Sequence, residues 1–114
     1  VAMMVDQRRK ALFKDRVRRW AGKLNVSVVS ITLRPMTTKW ASCSASGRLT
    51  FDANVPSLST RLQDYVIVHE LLHFQIPNHG RLWKSLMSAY LGDYQKADAR
   101  LRALAARRSD GPRL

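Results

Sequence analysis

Cysteine, glutamate and long apolar runs are scarce in this chain of 114 residues. Cys43 is the sole cysteine, so no disulfide can form within the chain, and such usage is typical of a reducing compartment such as the cytoplasm. No apolar run approaches the roughly 20 residues that a membrane-spanning helix needs. We therefore expect a cytoplasmic protein that has no membrane partner and whose fold depends on packing.

Acidic residues are also few. Twenty Lys and Arg stand against eight Asp and Glu, which gives a formal net charge of +12. Such a charge attracts polyanions and anionic substrates, although the same excess also serves solubility. Nucleic acid or another polyanion is accordingly a candidate partner, whereas composition predicts nothing about the oligomeric state. Glu70 is the only glutamate, and the remaining acids are aspartates.

At 114 residues the chain is long enough for one domain and too short for two, so we expect a single domain over residues 1–114, and apolar periodicity predicts its helices. Apolar residues spaced from Phe13 to Leu24 form one stripe of a basic amphipathic helix over about 5–24. A second helix should begin at the Thr60–Gln63 capping box and stop before Pro77. A third should run from about Asn78–His79 to Gly92 and a fourth from Asp93 to about Arg107, followed by a frayed tail over 109–114.

Strands are predicted between the first two helices. Val26–Leu33 is rich in β-branched residues, and Arg48–Phe51 forms a second short strand. Ser46–Gly47 supplies turn residues between this strand and Lys39–Cys43. We therefore expect an α+β fold in which a small antiparallel sheet packs on the second helix.

The residues with the clearest chemistry are His69–His73, which spell HELLH, an HExxH pattern. The i, i+4 spacing places His69 and His73 on one face of a helix, close enough to share one ion. Neutral imidazole binds zinc at about 2.0 Å, and a catalytic zinc keeps three protein ligands and an open position for water. Glu70 would project beside such an ion and could accept a proton from its water.

The third ligand must come from outside this helix turn. His79 is the one remaining histidine, but a continuous helix would carry it about 9 Å along the axis beyond His73, out of reach. Pro77 breaks the helix between them, so the chain can fold back and bring His79 to the same ion. The alternative ligands are two later aspartates, Asp93 and Asp98.

An HExxH pattern also arises by chance in ordinary helices, with half-buried histidines and a glutamate that faces solvent. The flanking residues argue against this interpretation. Val66–Val68 and Leu71–Leu72 indicate an interior helix, where ionisable groups without partners would cost desolvation energy. The sequence therefore favours a metal site.

Other residues surround the HExxH segment in a recognisable order. They are Arg34, Lys39–Cys43 (KWASC), Asn54, Asp64–Val66, Asn78–His79, Leu82–Trp83 and Asp93–Tyr94. With these residues the chain resembles the YgjP-like metal-dependent hydrolases, a compact zincin group distantly akin to the SprT-like proteases, from Arg34 to about Leu101. The resemblance implies three histidine ligands, His69, His73 and His79, and a glutamate base, Glu70.

The chain departs from the family pattern at three positions. Ala41, Leu82 and Gly92 stand where the family usually has Gly, Phe and Pro. These positions concern backbone shape and packing rather than the metal site. Cys43 is predicted to be a small buried side chain and neither a ligand nor a nucleophile, since a zinc-bound water needs no thiol.

The leading functional prediction is zinc-dependent hydrolysis of peptide bonds in a protein or peptide substrate. Hydrolysis of a nucleotide phosphoanhydride at the same metal is the alternative, since it has also been ascribed to the family. In either reaction Arg34, Lys39 and Arg48 could hold an anionic substrate or stabilise an oxyanion. A third hypothesis is a basic nucleic-acid-associated module with a structural zinc, but such a site would have no use for Glu70.

Overall fold

The computed structural model describes residues 2–37, 39–76 and 78–107, with side chains from Asp6 onward, so the predicted frayed tail at 109–114 and Pro77 lie outside the described residues. The elements in chain order are helix α1 (Ala2–Leu24), strands β1 (Ser30–Arg34), β2 (Ala41–Cys43) and β3 (Arg48–Asp52), a short 3-10 helix (Val55–Ser57), and helices α2 (Thr60–Leu72), α3 (Arg81–Leu91) and α4 (Tyr94–Ala106). These elements confirm the predicted α+β class. In the described part, no helix is long and apolar enough to cross a membrane.

The sheet has the order β1-β3-β2 and is mixed. Strand β2 is antiparallel to β3, with Ala41 opposite Phe51, whereas β1 is parallel to β3, with Ser30 opposite Arg48. The expectation of a purely antiparallel sheet is therefore wrong for β1. The chain reverses direction between β1 and β2 and again between β2 and β3. Strand β3 then lies between β1 and β2 instead of on the far side of β2. A simple meander, with β2 in the middle, would have made both pairs antiparallel.

A buried aspartate stabilises the connection that makes this strand order possible. Asp52, at the end of β3, is 1% exposed, and its carboxylate accepts hydrogen bonds from the backbone N–H of Met36 (2.8 Å) and of Asn54 (3.1 Å). The backbone N–H of Asp52 donates to the carbonyl of Trp40 at 2.8 Å. Because a charged acceptor makes stronger hydrogen bonds than a neutral one, this carboxylate fixes the segment that connects β1 to β2.

Helix α2 lies at the centre of the core, and α1 packs along it. Phe13 and Val17 of α1 are almost fully buried, and the ring of Phe13 meets that of Phe51 edge to face at 4.9 Å. Asp64 of α2 accepts a hydrogen bond from Arg16 at 2.7 Å and another from the indole of Trp20 at 2.8 Å. Burial of each large apolar side chain contributes about 1.5–3 kcal/mol, so α2 is held rigidly. The predicted basic helix with one docking face is confirmed.

Three helix boundaries differ from the prediction, and the two between α2 and α3 matter for the site. Ser59, not Thr60, caps α2, because its hydroxyl accepts the backbone N–H of Leu62 at 3.4 Å. Helix α2 ends at Leu72 and continues only as a turn, while α3 begins at Arg81. His79 consequently lies in the connection between the two helices, where helical geometry does not fix its direction and its side chain can face α2.

Candidate active site

Helix α2 presents two histidines and a glutamate near its C-terminal end. The rings of His69 and His73 lie with their centroids 4.7 Å apart, as their i, i+4 spacing predicts. His69 is 3% exposed and Glu70 is 6% exposed, so both groups are buried. Glu70 does not face solvent, and the chance interpretation of the HExxH pattern is therefore wrong for this residue.

The connection between α2 and α3 brings His79 to the same place. Its ring centroid lies 4.9 Å from those of both His69 and His73, and its Nε2 lies 3.1 Å from the Nε2 of His73. One ring nitrogen from each of the three histidines falls within 4.8 Å of the others. Ligand nitrogens around a tetrahedral zinc with bonds of about 2.0–2.1 Å are about 3.3 Å apart. The predicted convergence of the three histidines is confirmed, and this arrangement could hold a metal ion.

The two alternative ligands have other partners. Asp98 accepts the hydroxyl hydrogen of Tyr65 at 2.8 Å and the guanidinium of Arg102 at 2.8 Å. Asp93 lies 3.6 Å from the ammonium of Lys96 on the surface. Neither aspartate belongs to the cluster of potential ligands found among the described residues.

A tryptophan of α3 packs against two of the three imidazoles. The indole of Trp83 stacks on the ring of His79, with centroids 4.2 Å apart and planes inclined by 24°. It also meets the ring of His69 edge to face at 5.3 Å, and it meets the ring of Tyr94 in the same manner at 5.9 Å. Trp83 is 4% exposed, so it forms a fixed wall for the histidine cluster. His79 precedes helix α3, so helical spacing does not predict this contact, which depends on how the connection folds back.

The electrostatic state of the cluster suits a cation. Burial lowers the pKa of His73 and of His79, and the neighbouring His69 lowers both further, so these imidazoles stay neutral near pH 7 and keep lone pairs for a metal. The buried Nδ1 of His69 has no hydrogen-bond partner, and it lies 3.6 Å from Oε1 of Glu70. A buried carboxylate beside neutral imidazoles is best compensated by a bound cation. The residues present therefore fit a divalent metal ion.

Cys43 contacts the buried glutamate from the sheet. It is half-buried on β2, next to the carboxylate of Glu70. Burial raises the pKa of the thiol, and the neighbouring carboxylate of Glu70 raises it further, so Cys43 stays protonated. The prediction that Cys43 is merely a small buried side chain missed this contact. Nothing in the local sequence indicates it, because it depends on the strand order.

The three basic residues suggested as an anion site do not all converge. Arg34 is opposite Asp52 in the sheet, whereas Arg48 is opposite Ser30, at the other end of the same pair of strands. Four residues of strand separate the two positions by about 13 Å. Lys39 is the member whose charge reaches the site, where it partly offsets the rise in the pKa of Cys43.

A mixed sheet packed on an HExxH helix, with a third histidine in the following connection, defines a zincin-type metallopeptidase. The model of the YgjP-like family, metallopeptidase domain, matches residues 1–104. The chain belongs to this family and is a metal-dependent hydrolase, as the sequence predicted.

Two metallopeptidase zymogens are among the solved structures that share the fold. The metallopeptidase zymogen jannalysin of Methanocaldococcus jannaschii is 28% identical, with a TM-score of 0.70 over 84% of this chain and 97% of that one. The metallopeptidase zymogen abylysin of Pyrococcus abyssi is 20% identical, with a TM-score of 0.70 over 82% of this chain and 95% of that one. No curated protein matches the chain.

Proposed function

We propose that this chain is a zinc peptidase in which His69, His73 and His79 hold the ion and Glu70 is the general base. The observation that carries the proposal is the convergence of three imidazoles beside a buried carboxylate. When bound, zinc would polarise the substrate carbonyl and make a water more acidic. Neutral imidazole nitrogens are the ligands that zinc prefers in catalytic sites of this kind.

The protein's own residues prepare the proton transfer. Glu70 follows the first histidine directly, so its carboxylate lies beside the cluster and can take a proton from a water held there. The protonated thiol of Cys43 lies next to this carboxylate on the side of the sheet, where it can donate a hydrogen bond to it. Trp83 excludes water from one side of the cluster, since the buried indole stacks on His79 and meets the ring of His69.

The substrate is proposed to be an extended peptide that pairs with β2. This strand lies at an edge of the sheet, and hydrogen bonds from Ser44 to Arg48 and from Asp52 to Trp40 flank its pairing with β3. Because antiparallel pairs alternate, the backbone groups of Ala41 and Cys43 point away from β3, toward the open edge. A peptide added there passes next to Glu70, which Cys43 contacts.

The proposal also covers the cellular compartment, the domain organisation and the choice between two substrate classes. The single cysteine supports a reducing compartment, the cytoplasm. The packing of α1 on α2 supports one domain over residues 1–114. The separation of Arg34 from Arg48 favours a peptide over a nucleoside triphosphate, whose phosphates need several converging cations.

A side-by-side assay tests the proposal. Zinc-loaded protein is incubated with an unfolded protein and, separately, with the four nucleoside triphosphates. We expect peptide cleavage that falls by about 10²–10⁴-fold in Glu70→Gln, because an amide cannot accept the proton, while zinc content and folding are unchanged. Asp93→Asn, which removes the same charge from an exposed aspartate, is the matched control and should cleave normally. Pyrophosphate release that depends on Glu70 without peptide cleavage would overturn the peptidase assignment.

A further inference from the structure

The outer face of α1 carries an unusual concentration of unpaired positive charge. Three of its basic residues have partners: Lys10 lies 3.7 Å from Asp6, Arg16 bonds Asp64, and Lys23 lies over the ring of Trp20 at 4.7 Å. Five others are exposed and, among the described residues, form no ion pair. They are Arg8, Arg9, Lys14, Arg18 and Arg19, and we call this set the α1 cationic face.

The helix geometry distributes these charges around one ridge. At about 100° per residue, Arg8 and Arg19 lie opposite the buried stripe that contains Val17. Arg18 and Lys14 fall on one flank, about 90° and 130° from this ridge, and Arg9 falls on the other, about 90° from it. The ridge from Arg8 to Arg19 is about 16 Å long. The α1 cationic face thus offers positive charge along its crest and on both flanks.

We propose that the α1 cationic face binds duplex nucleic acid by contacts with its phosphates. An α-helix with its side chains is about 10–12 Å wide, which matches a major groove of about 12 Å, so the two flanks meet the phosphates of opposite strands. Asp15 is exposed on the same ridge, where it faces the floor of the groove rather than a phosphate. Complementary charge, rather than base contacts, supplies the affinity.

A lipid surface fits this helix less well. A helix that lies in a membrane interface turns an apolar face to the lipid, but the apolar stripe of α1 is already buried against α2 and β3. On the outer side, Leu12 is the single large hydrophobic residue that α1 exposes among the described residues. The face therefore has charge for phosphates and little apolar surface to insert.

The position of α1 leaves the candidate active site accessible. Arg16 bonds Asp64 near the start of α2, and Gln75, just beyond its end, donates to the carbonyl of Leu24 at 3.3 Å. The two helices consequently run side by side in the same direction, with α2 on the inner side of α1. A duplex on the outer face of α1 stays about one helix diameter from α2, so proteins carried on nucleic acid could reach the site.

Fluorescence anisotropy with a labelled random duplex of about 20 base pairs tests this inference, with Glu70→Gln protein so that binding is measured without cleavage. We expect affinity to fall as salt rises from about 50 to about 200 mM, with a log–log slope near −3 for the three flank residues that meet phosphates, Arg9, Lys14 and Arg18. Arg9→Glu/Arg18→Glu, which reverses one charge on each flank, should weaken binding at least about tenfold and reduce the slope by about 2. Lys84→Glu/Arg100→Glu, which changes the net charge equally at exposed positions of α3 and α4, should have little effect.

Three outcomes would overturn the inference. They are no binding at low salt, equal losses in the two double variants, and binding to vesicles containing about one-quarter phosphatidylserine without binding to the duplex. Circular dichroism checks that each variant is folded. If charge reversal unfolds α1, Arg9→Gln/Arg18→Gln replaces it and should reduce the salt slope by the same amount.

Discussion

Replacement of Trp83 by leucine should weaken metal binding more than it affects the rest of the fold. The indole contacts two of the three imidazoles, by stacking on His79 at 4.2 Å and by an edge contact with His69 at 5.3 Å. His79 lies in a connection and is exposed, so the indole is its main restraint outside the cluster. Leucine fills part of the space but offers no flat surface against which an imidazole can be oriented.

The size of the effect follows from these contacts. An aromatic pair contributes about 0.5–1.5 kcal/mol beyond its buried area, and groups that orient metal ligands typically change affinity by about 10–100-fold. We therefore expect the dissociation constant for zinc to rise about tenfold or more in Trp83→Leu. Trp83→Phe keeps a ring that can stack and should stay within about threefold of the parent.

Competition with a chromophoric chelator measures these dissociation constants, and chemical denaturation measures the free energy of unfolding of the metal-free proteins. Met87→Ala is the control, because Met87 is fully buried one turn further along α3 and does not belong to the histidine cluster. This variant should lose about 2–5 kcal/mol of stability but keep its zinc affinity. Unchanged zinc affinity in Trp83→Leu would refute the assigned role of the indole.

Two further predictions concern stability. Burial lowers the pKa values of His73 and His79 below the ordinary 6.5, so the folded metal-free protein binds fewer protons than the unfolded chain. Its stability should therefore decrease as pH falls through 6.5. Denaturation at about pH 7.5 and 5.5 tests this, and a pH dependence that survives in His73→Asn/His79→Asn would contradict it. Gly47→Ala should destabilise the fold by about 1–3 kcal/mol, because Gly47 has φ +93° and an added Cβ would lie 2.9 Å from the carbonyl oxygen of Ser27. Gly22→Ala, in open space on α1, should instead stabilise it by about 0.5–1 kcal/mol, and equal effects in thermal denaturation would refute the argument.

Local patterns in the sequence were sufficient to predict the helices and the histidine cluster. The i, i+4 spacing of His69 and His73 depends only on helix geometry, and a break near Pro77 was enough to expect His79 beside them. Helix limits were less accurate. Ser59 and Thr60 are both good capping residues, and only the observed backbone decides which of them caps α2.

Features that depend on strand order could not be predicted in the same way. Alternation of apolar residues indicates strands but does not say which of them are neighbours, so the parallel pairing of β1 with β3 was missed. The contact of Cys43 with Glu70 was missed for the same reason, since it requires β2 to lie at the edge beside α2. The buried Asp52, which fixes the connection, likewise looks like any other aspartate in the sequence.

X-ray absorption at the zinc edge tests the central claim most directly, because it identifies the ligand atoms in the loaded protein. The account predicts three nitrogen ligands and one oxygen at about 2.0–2.1 Å, and the loss of one nitrogen in His79→Ala. A sulfur ligand at about 2.3 Å, which would have to come from Cys43, or a spectrum unchanged by His79→Ala, would contradict it.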